Sequence, residues 1–265
     1  MKKLLLTVIA VFAIAVPSMA YDAASRVQTI GEQLLTKNGI SATNVKFMVV
    51  SDTPNNANFI TTRVINVSSA ELAFAGNDNE VAAVVAAEIG HLVCGHASKA
   101  QVMSLLQSTA NTDVTTNTTV QTFASNYKTT KQDKEADLIA VNLMVNAEYN
   151  PLALIVVLTK QTGTYWDTIV GRPANAEKAL NVYDYISYVY PAKLSVGYGC
   201  NEYRTFLAYA ENIVTQRKDS KKLTNKYNKT YAKAKKNTAN KIVKFKTRGG
   251  VSGWDAVYGL LNGAQ

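Results

Sequence analysis

The sequence predicts a mainly helical α+β domain with a small β-sheet beside one buried helix, followed by a basic helical extension. Three observations carry this. Between Val81 and Val93 the chain is apolar almost all round, as in a helix buried on every side. Residues 45–68 are rich in Val, Ile, Phe and Thr and alternate imperfectly, the pattern of short strands. Residues 217–265 hold 13 Lys/Arg against 2 Asp/Glu, whereas 21–216 hold 13 against 17, so the high pI belongs to the tail.

The elements follow in order. Lys2 and Lys3, the apolar run Leu4 to Val16 and the small-x-small site Ser18-Met19-Ala20 form an export signal over 1–20. That run is too short to span a bilayer, and the compartment expected is a bacterial periplasm or the exterior. A first helix is expected near 23–37, closed by Gly39. A short sheet over about 45–68 comes next, then helices near 78–108, 129–147, 151–162 and 199–217. Asn77 and Asp78 are capping candidates for the buried helix. The Thr-rich stretch 111–119 reads as a surface loop. With no fixed-period repeat and no Gly/Ser linker, 21–216 reads as one domain and 217–265 as its extension.

Within the tail, Leu223, Tyr227, Tyr231, Ala234, Ile242 and Phe245 recur near helical spacing among lysines, although Asn237 to Asn240 weakens the pattern. Such a segment suits an anionic membrane or a cell-wall polymer, or is a solvated helix kept soluble by its lysines. Nucleic acid is not an expected partner of an exported chain. Trp254, Val257, Leu260 and Leu261 suit a short final helix docked on the body.

The chemistry concentrates in Ala87-Glu88-Ile89-Gly90-His91. In an HExxH helix two histidines four apart grip zinc, and the glutamate activates the metal-bound water. Here the glutamate is Glu88 and the second histidine His91, but position 87 is alanine, which has no lone pair to give. Glu88 inside an apolar helix needs a reason, because an unpaired buried carboxylate is costly; a raised proton affinity is expected in a closed pocket. His96 lies five residues after His91, a rotation of about 140° on a regular helix, so the two cannot share one ion and His96 supports from behind. On the next helix Asp133 and Asp137 are four apart on one face, the spacing for a ligand and a supporting carboxylate. Cys94 and Cys200 permit one disulfide, which closes a loop worth about 4–5 kcal/mol, or remain two buried thiols.

These segments together resemble the HtpX and CAAX-prenyl-protease family of zinc metallopeptidases, a gluzincin type. Its pattern has an E-L-A-x-V-L-A-H-E-I-G-H helix, an E-x-x-A-D helix and a later H-P dipeptide, and the likeness covers roughly residues 25–215. The resemblance implies ligands at Ala87, His91 and Asp133, with Glu88 as general base. The first is lost, and the third is a carboxylate one methylene shorter than the family's glutamate. The histidine of H-P falls on Tyr190, whose hydroxyl can still donate to an oxyanion. In the family a substrate peptide adds as a strand along the sheet edge, which puts Asn58 and Phe59 at the peptide. The resemblance therefore implies a zinc-peptidase fold with zinc absent or weakly held. Two functions compete: a pseudopeptidase that binds peptides or unfolded segments, and a zinc endopeptidase with a rearranged site using His91, Asp133 and Asp137 or Glu135.

Overall fold

The computed structural model describes residues 23–51, 54–109, 118–161 and 174–262, the side chains of 107–130 and 174 excepted. The expected export signal and all but the end of the Thr-rich stretch lie outside these residues. Helix α1 spans 23–37 and ends at Gly39, whose φ of 66° closes the helix as expected. It lies across strand β1 (Lys46–Val50) so closely that a Cβ on Gly31 would fall 2.4 Å from the Phe47 ring. Chain then passes through the one-turn helix α2 (Phe59–Thr62) to β2 (Val64–Ser68), which pairs with β1 in parallel, Phe47 opposite Ile65. The two strands form the whole described sheet. Gln28 of α1 closes the outer side of β1: its Oε1 accepts from Phe47 N at 2.8 Å and its Nε2 donates to Val45 O at 3.1 Å.

Ser68 ends β2 and caps α3 (Ser69–Leu72), accepting from Glu71 N at 3.3 Å. Helix α4 (Asp78–Cys94) is capped by Asn77, which accepts from Glu80 N at 3.1 Å. Its apolar residues are buried on nearly all sides, as the sequence predicts, against α6 (Thr118–Asn146), α7 (Leu152–Gln161) and β2. The helix expected over 78–108 is two helices. Gly95 turns left-handed at φ 64° and α5 (His96–Thr109) starts after it. A side chain there meets two obstacles, the strained φ and Ser252 Oγ, which lies 2.2 Å from where a Cβ would be.

Gly90 has a different reason. Its Cα face touches α6, and an added Cβ would lie 2.4 Å from the Ala136 carbonyl oxygen, a backbone atom with nowhere to go. Gly90→Ala is expected to cost about 2 kcal/mol, the scale of overpacking, read as a shifted chemical-denaturation midpoint. An unchanged midpoint would show that α4 and α6 separate freely.

Helix α8 (Ala174–Val189) was not foreseen; it packs on α6 and α7 and carries a Tyr-rich face. Helices α9 (Pro191–Leu194) and α10 (Asn201–Asp219) follow, and the tail is one continuous helix, α11 (Lys221–Thr247). The boundary expected after 216 falls inside α10. Tyr231, Ile242 and Phe245 of α11 are buried in the common core, and Thr238 Oγ1 meets Tyr185 Oη at 2.9 Å. Its lysines face outward except Lys241, which is half-buried and pairs with Glu135. The last helix, α12 (Gly253–Leu261), docks on α5 and α2, but it buries Asp255 and Gly259 while Val257, Leu260 and Leu261, expected to dock it, are exposed; a capping box joins Ser252 and Asp255. No single described helix is long and apolar enough to cross a membrane.

Candidate active-site cleft

A cleft of about 420 Å³ opens where α3, α4, α5 and α6 meet, and Asn56, Glu71, Glu88, His91, His96 and Asp133 are among the residues lining it. Helix periodicity puts Glu88 and His91 on one face of α4. The short α3, running straight out of β2, brings Glu71 opposite them. Burial pushes the Glu88 carboxyl up to about 8, with the Glu71 and Asp133 charges adding to it. At neutral pH Glu88 is thus mostly protonated, in line with the expectation for a closed pocket. Its Oε2 accepts from Asn56 Nδ2 at 3.1 Å.

Burial, then the neighbouring His96, lowers the His91 pKa to about 4, so His91 is neutral above that pH. Its Nδ1 lies 3.0 Å from His96 Nδ1, and its Nε2 lies 3.6 Å from Asp133 Oδ1. The two histidines meet because Gly95 ends α4, folding His96 back; on an uninterrupted helix they would diverge. His96 Nε2 in turn lies 3.5 Å from Glu135 Oε2. Glu135 is held down to about 2 by His96 and by Lys241, whose ammonium is 2.6 Å away.

Behind Asp133 sits Lys178, which no sequence motif singled out. Its Nζ is 3.5 Å from Asp133 Oδ2 and 3.9 Å from Asp137 Oδ2. Burial opposes the ammonium charge, yet Asp137, Asp133 and Glu71 together keep its pKa above the ordinary lysine value. Asp137 is 3 % exposed, and burial drives its carboxyl up to about 7. Asp137 Oδ2 has no hydrogen-bond partner, so the supporting carboxylate faces a lysine rather than a histidine ligand.

The sequence pattern of peptidase family M48 matches residues 22–205. The chain belongs to this family. No curated protein and no solved structure gives a match. M48 proteins are zinc metallopeptidases, so the fit of this cleft to zinc can be tested on its own residues. They do not fit a three-ligand catalytic site. Ala87 offers no donor, and the Asp133 carboxylate is shared between His91 and the Lys178 ammonium, which brings positive charge to the place where a metal's would be needed.

Two further expectations are corrected. Tyr190 is not among the residues lining this M48 cleft. As the residue before Pro191 it starts α9, and its hydroxyl donates to the buried Asn142 Oδ1 at 2.6 Å, with burial raising its pKa to about 12. Asn58 and Phe59 do not form a peptide edge: Asn58 precedes the α2 turn and Phe59 is buried at 2 % exposure. The residue lying along the free side of β2 is Asn56, whose Oδ1 accepts from Asn66 N at 2.8 Å and whose Nδ2 reaches Asn66 O at 3.4 Å. Of the two states left open for the cysteines, bridged or free, Cys94 and Cys200 are both free. Cys94 is buried beside Lys241 at the end of α4, its thiol pushed up to about 12 by burial, while Cys200 caps α10 by accepting from Tyr203 N.

Proposed function

We propose that this M48 protein is an exported pseudopeptidase that holds extended or unfolded protein segments without cutting them. Ala87, together with the Lys178 ammonium on Asp133, carries the reading: the first ligand is missing and the third is already neutralised. The cleft keeps Glu88 and a β2 edge whose outward groups at Asn66 are met by a side-chain amide, which the main chain of an incoming peptide can replace. The exposed lysines of α11 would attach the protein to an anionic membrane or cell-wall surface.

The deciding assay incubates the purified protein with unfolded casein at saturating zinc, beside Glu88→Gln and Ala87→His. Binding without cleavage by the parent is expected, detected as a rise in fluorescence anisotropy of labelled casein. Zinc-dependent cleavage by the parent that disappears in Glu88→Gln would instead establish a working endopeptidase. Absence of binding would remove the peptide-holding role. In a Cys94→Ser background, Ala87→His is expected to add one zinc per chain by elemental analysis; no gain would mean that the pocket has closed around Lys178.

A further inference from the structure

Beside the cleft, on the far side of His96, a second set of donors converges. Cys94 ends α4, His96 begins α5, and Glu135 comes from α6. Each offers one ligand atom, and the three atoms lie within 4.8 Å of one another, the one such trio among the described residues. Cys94 and His96 reach the same point only because Gly95 reverses the backbone between them at φ 64°. A thiol, an imidazole and a carboxylate make a mixed donor set of the kind that takes zinc in tetrahedral geometry, with the fourth position left for water.

A cation of the protein already stands there. Lys241 Nζ, from α11, lies 2.6 Å from Glu135 Oε1 and 3.6 Å from Cys94 Sγ. Its side chain is 35 % exposed, on a flexible stem at the molecular surface, so the ammonium can swing out while α11 stays docked through Ile242 and Phe245. The local charge balances in both arrangements. Thiol, carboxylate and ammonium sum to zero, and so do thiolate, carboxylate and a divalent ion.

We propose that Cys94, His96 and Glu135 form a zinc-class divalent metal site, and that Lys241 is the resident cation which the metal displaces. On binding, the Cys94 thiol gives its proton to solvent. Sulfur, one His96 ring nitrogen and a Glu135 oxygen then each bond the ion, water takes the fourth position, and Lys241 leaves still protonated. His91, Asp133 and Glu88 are not ligands of this ion. The site reaches the cleft through the His96–His91 contact, because metal held by His96 fixes which ring nitrogen faces His91.

Cobalt(II) is the probe, since a cobalt thiolate has a charge-transfer absorption in the near ultraviolet that carboxylate and imidazole alone do not give. The purified protein is expected to titrate to one cobalt per chain with that band, and zinc to bleach it. Asp133→Asn should retain the band, which separates this site from the family-type position, and Cys94→Ser should lose it. Lys241→Met should tighten the apparent affinity by tenfold or more and needs no change in any ligand. Absence of the band in both the parent and Lys241→Met would overturn the site. So would a band that survives Cys94→Ser or disappears in Asp133→Asn, and an unchanged affinity in Lys241→Met would overturn the displacement.

Discussion

Lys178→Met is expected to destabilise the protein by about 3–5 kcal/mol at pH 8, because it leaves two carboxylates in the α6–α8 interface without their cation. The cost should depend on pH in a definite direction. Asp137 has a folded pKa of about 7, above its ordinary value of 3.8, so between these values the native state holds more protons than the unfolded chain. Stability therefore falls as pH rises through that window. Removing the lysine moves the folded value further up and extends the fall to higher pH. The difference between parent and variant should grow by about 1 kcal/mol from pH 5 to pH 8, because their stabilities diverge through Asp137 only above pH 7. A pH-independent difference would mean that Lys178 acts through packing of its stem alone.

The second large effect is a gain. Glu88 must ionise in its cleft at high pH, and its folded pKa of about 8 against an ordinary 4.5 makes this a destabilising term. Below pH 4.5 the group is protonated in both states and contributes nothing. From 4.5 to 8 the native state binds the extra proton, so stability declines as pH rises and the full penalty is present above 8. Glu88→Gln keeps a neutral group of similar shape and should be more stable than the parent by about 3–4 kcal/mol at pH 9, with no advantage at pH 4. His91 works the other way, since its lowered pKa of about 4 makes stability rise with pH between there and 6.5. That slope is common to parent and variant and cancels in their difference. A glutamine variant that is equally stable at both pH values would place Glu88 in solvent.

The parts of this site that could be read from the sequence are those carried by a helical period. Glu88, His91, Asp133 and Asp137 were placed by spacing, because positions three and four apart on a helix must share a face. What spacing cannot supply is the partner from another element. Lys178 and Glu71 are single charged residues in unremarkable surroundings, and only the docking of α8 and α3 brings them to Asp133 and Glu88. Gly95 was visible but weak as a signal, since one glycine in a long apolar run costs only about 1 kcal/mol and need not end a helix. Besides its positive φ, what bars a side chain there is Ser252, more than 150 residues later. The same limit explains α11. Asn237 to Asn240 has poor helix propensity, but burial of Thr238 within it and of Ile242 just after it overrides this. Expecting a strand-like edge at Asn58 and Phe59 failed for a related reason: a parallel pair needs a crossover, and α2 lies in that crossover.

A two-stranded sheet in water is an invitation to self-association, since each strand has an unpaired side able to recruit a strand from another molecule. Here Gln28 occupies one side at Phe47 and Asn56 the other at Asn66, each carboxamide standing in for one peptide group of a neighbour. Two side chains thus do what a third and a fourth strand would otherwise do. The Gln28 side is thereby guarded against growing into ribbons at high local concentration, while in the proposed function the Asn56 amide yields to the incoming peptide, so a change at Gln28 should first be noticed as aggregation.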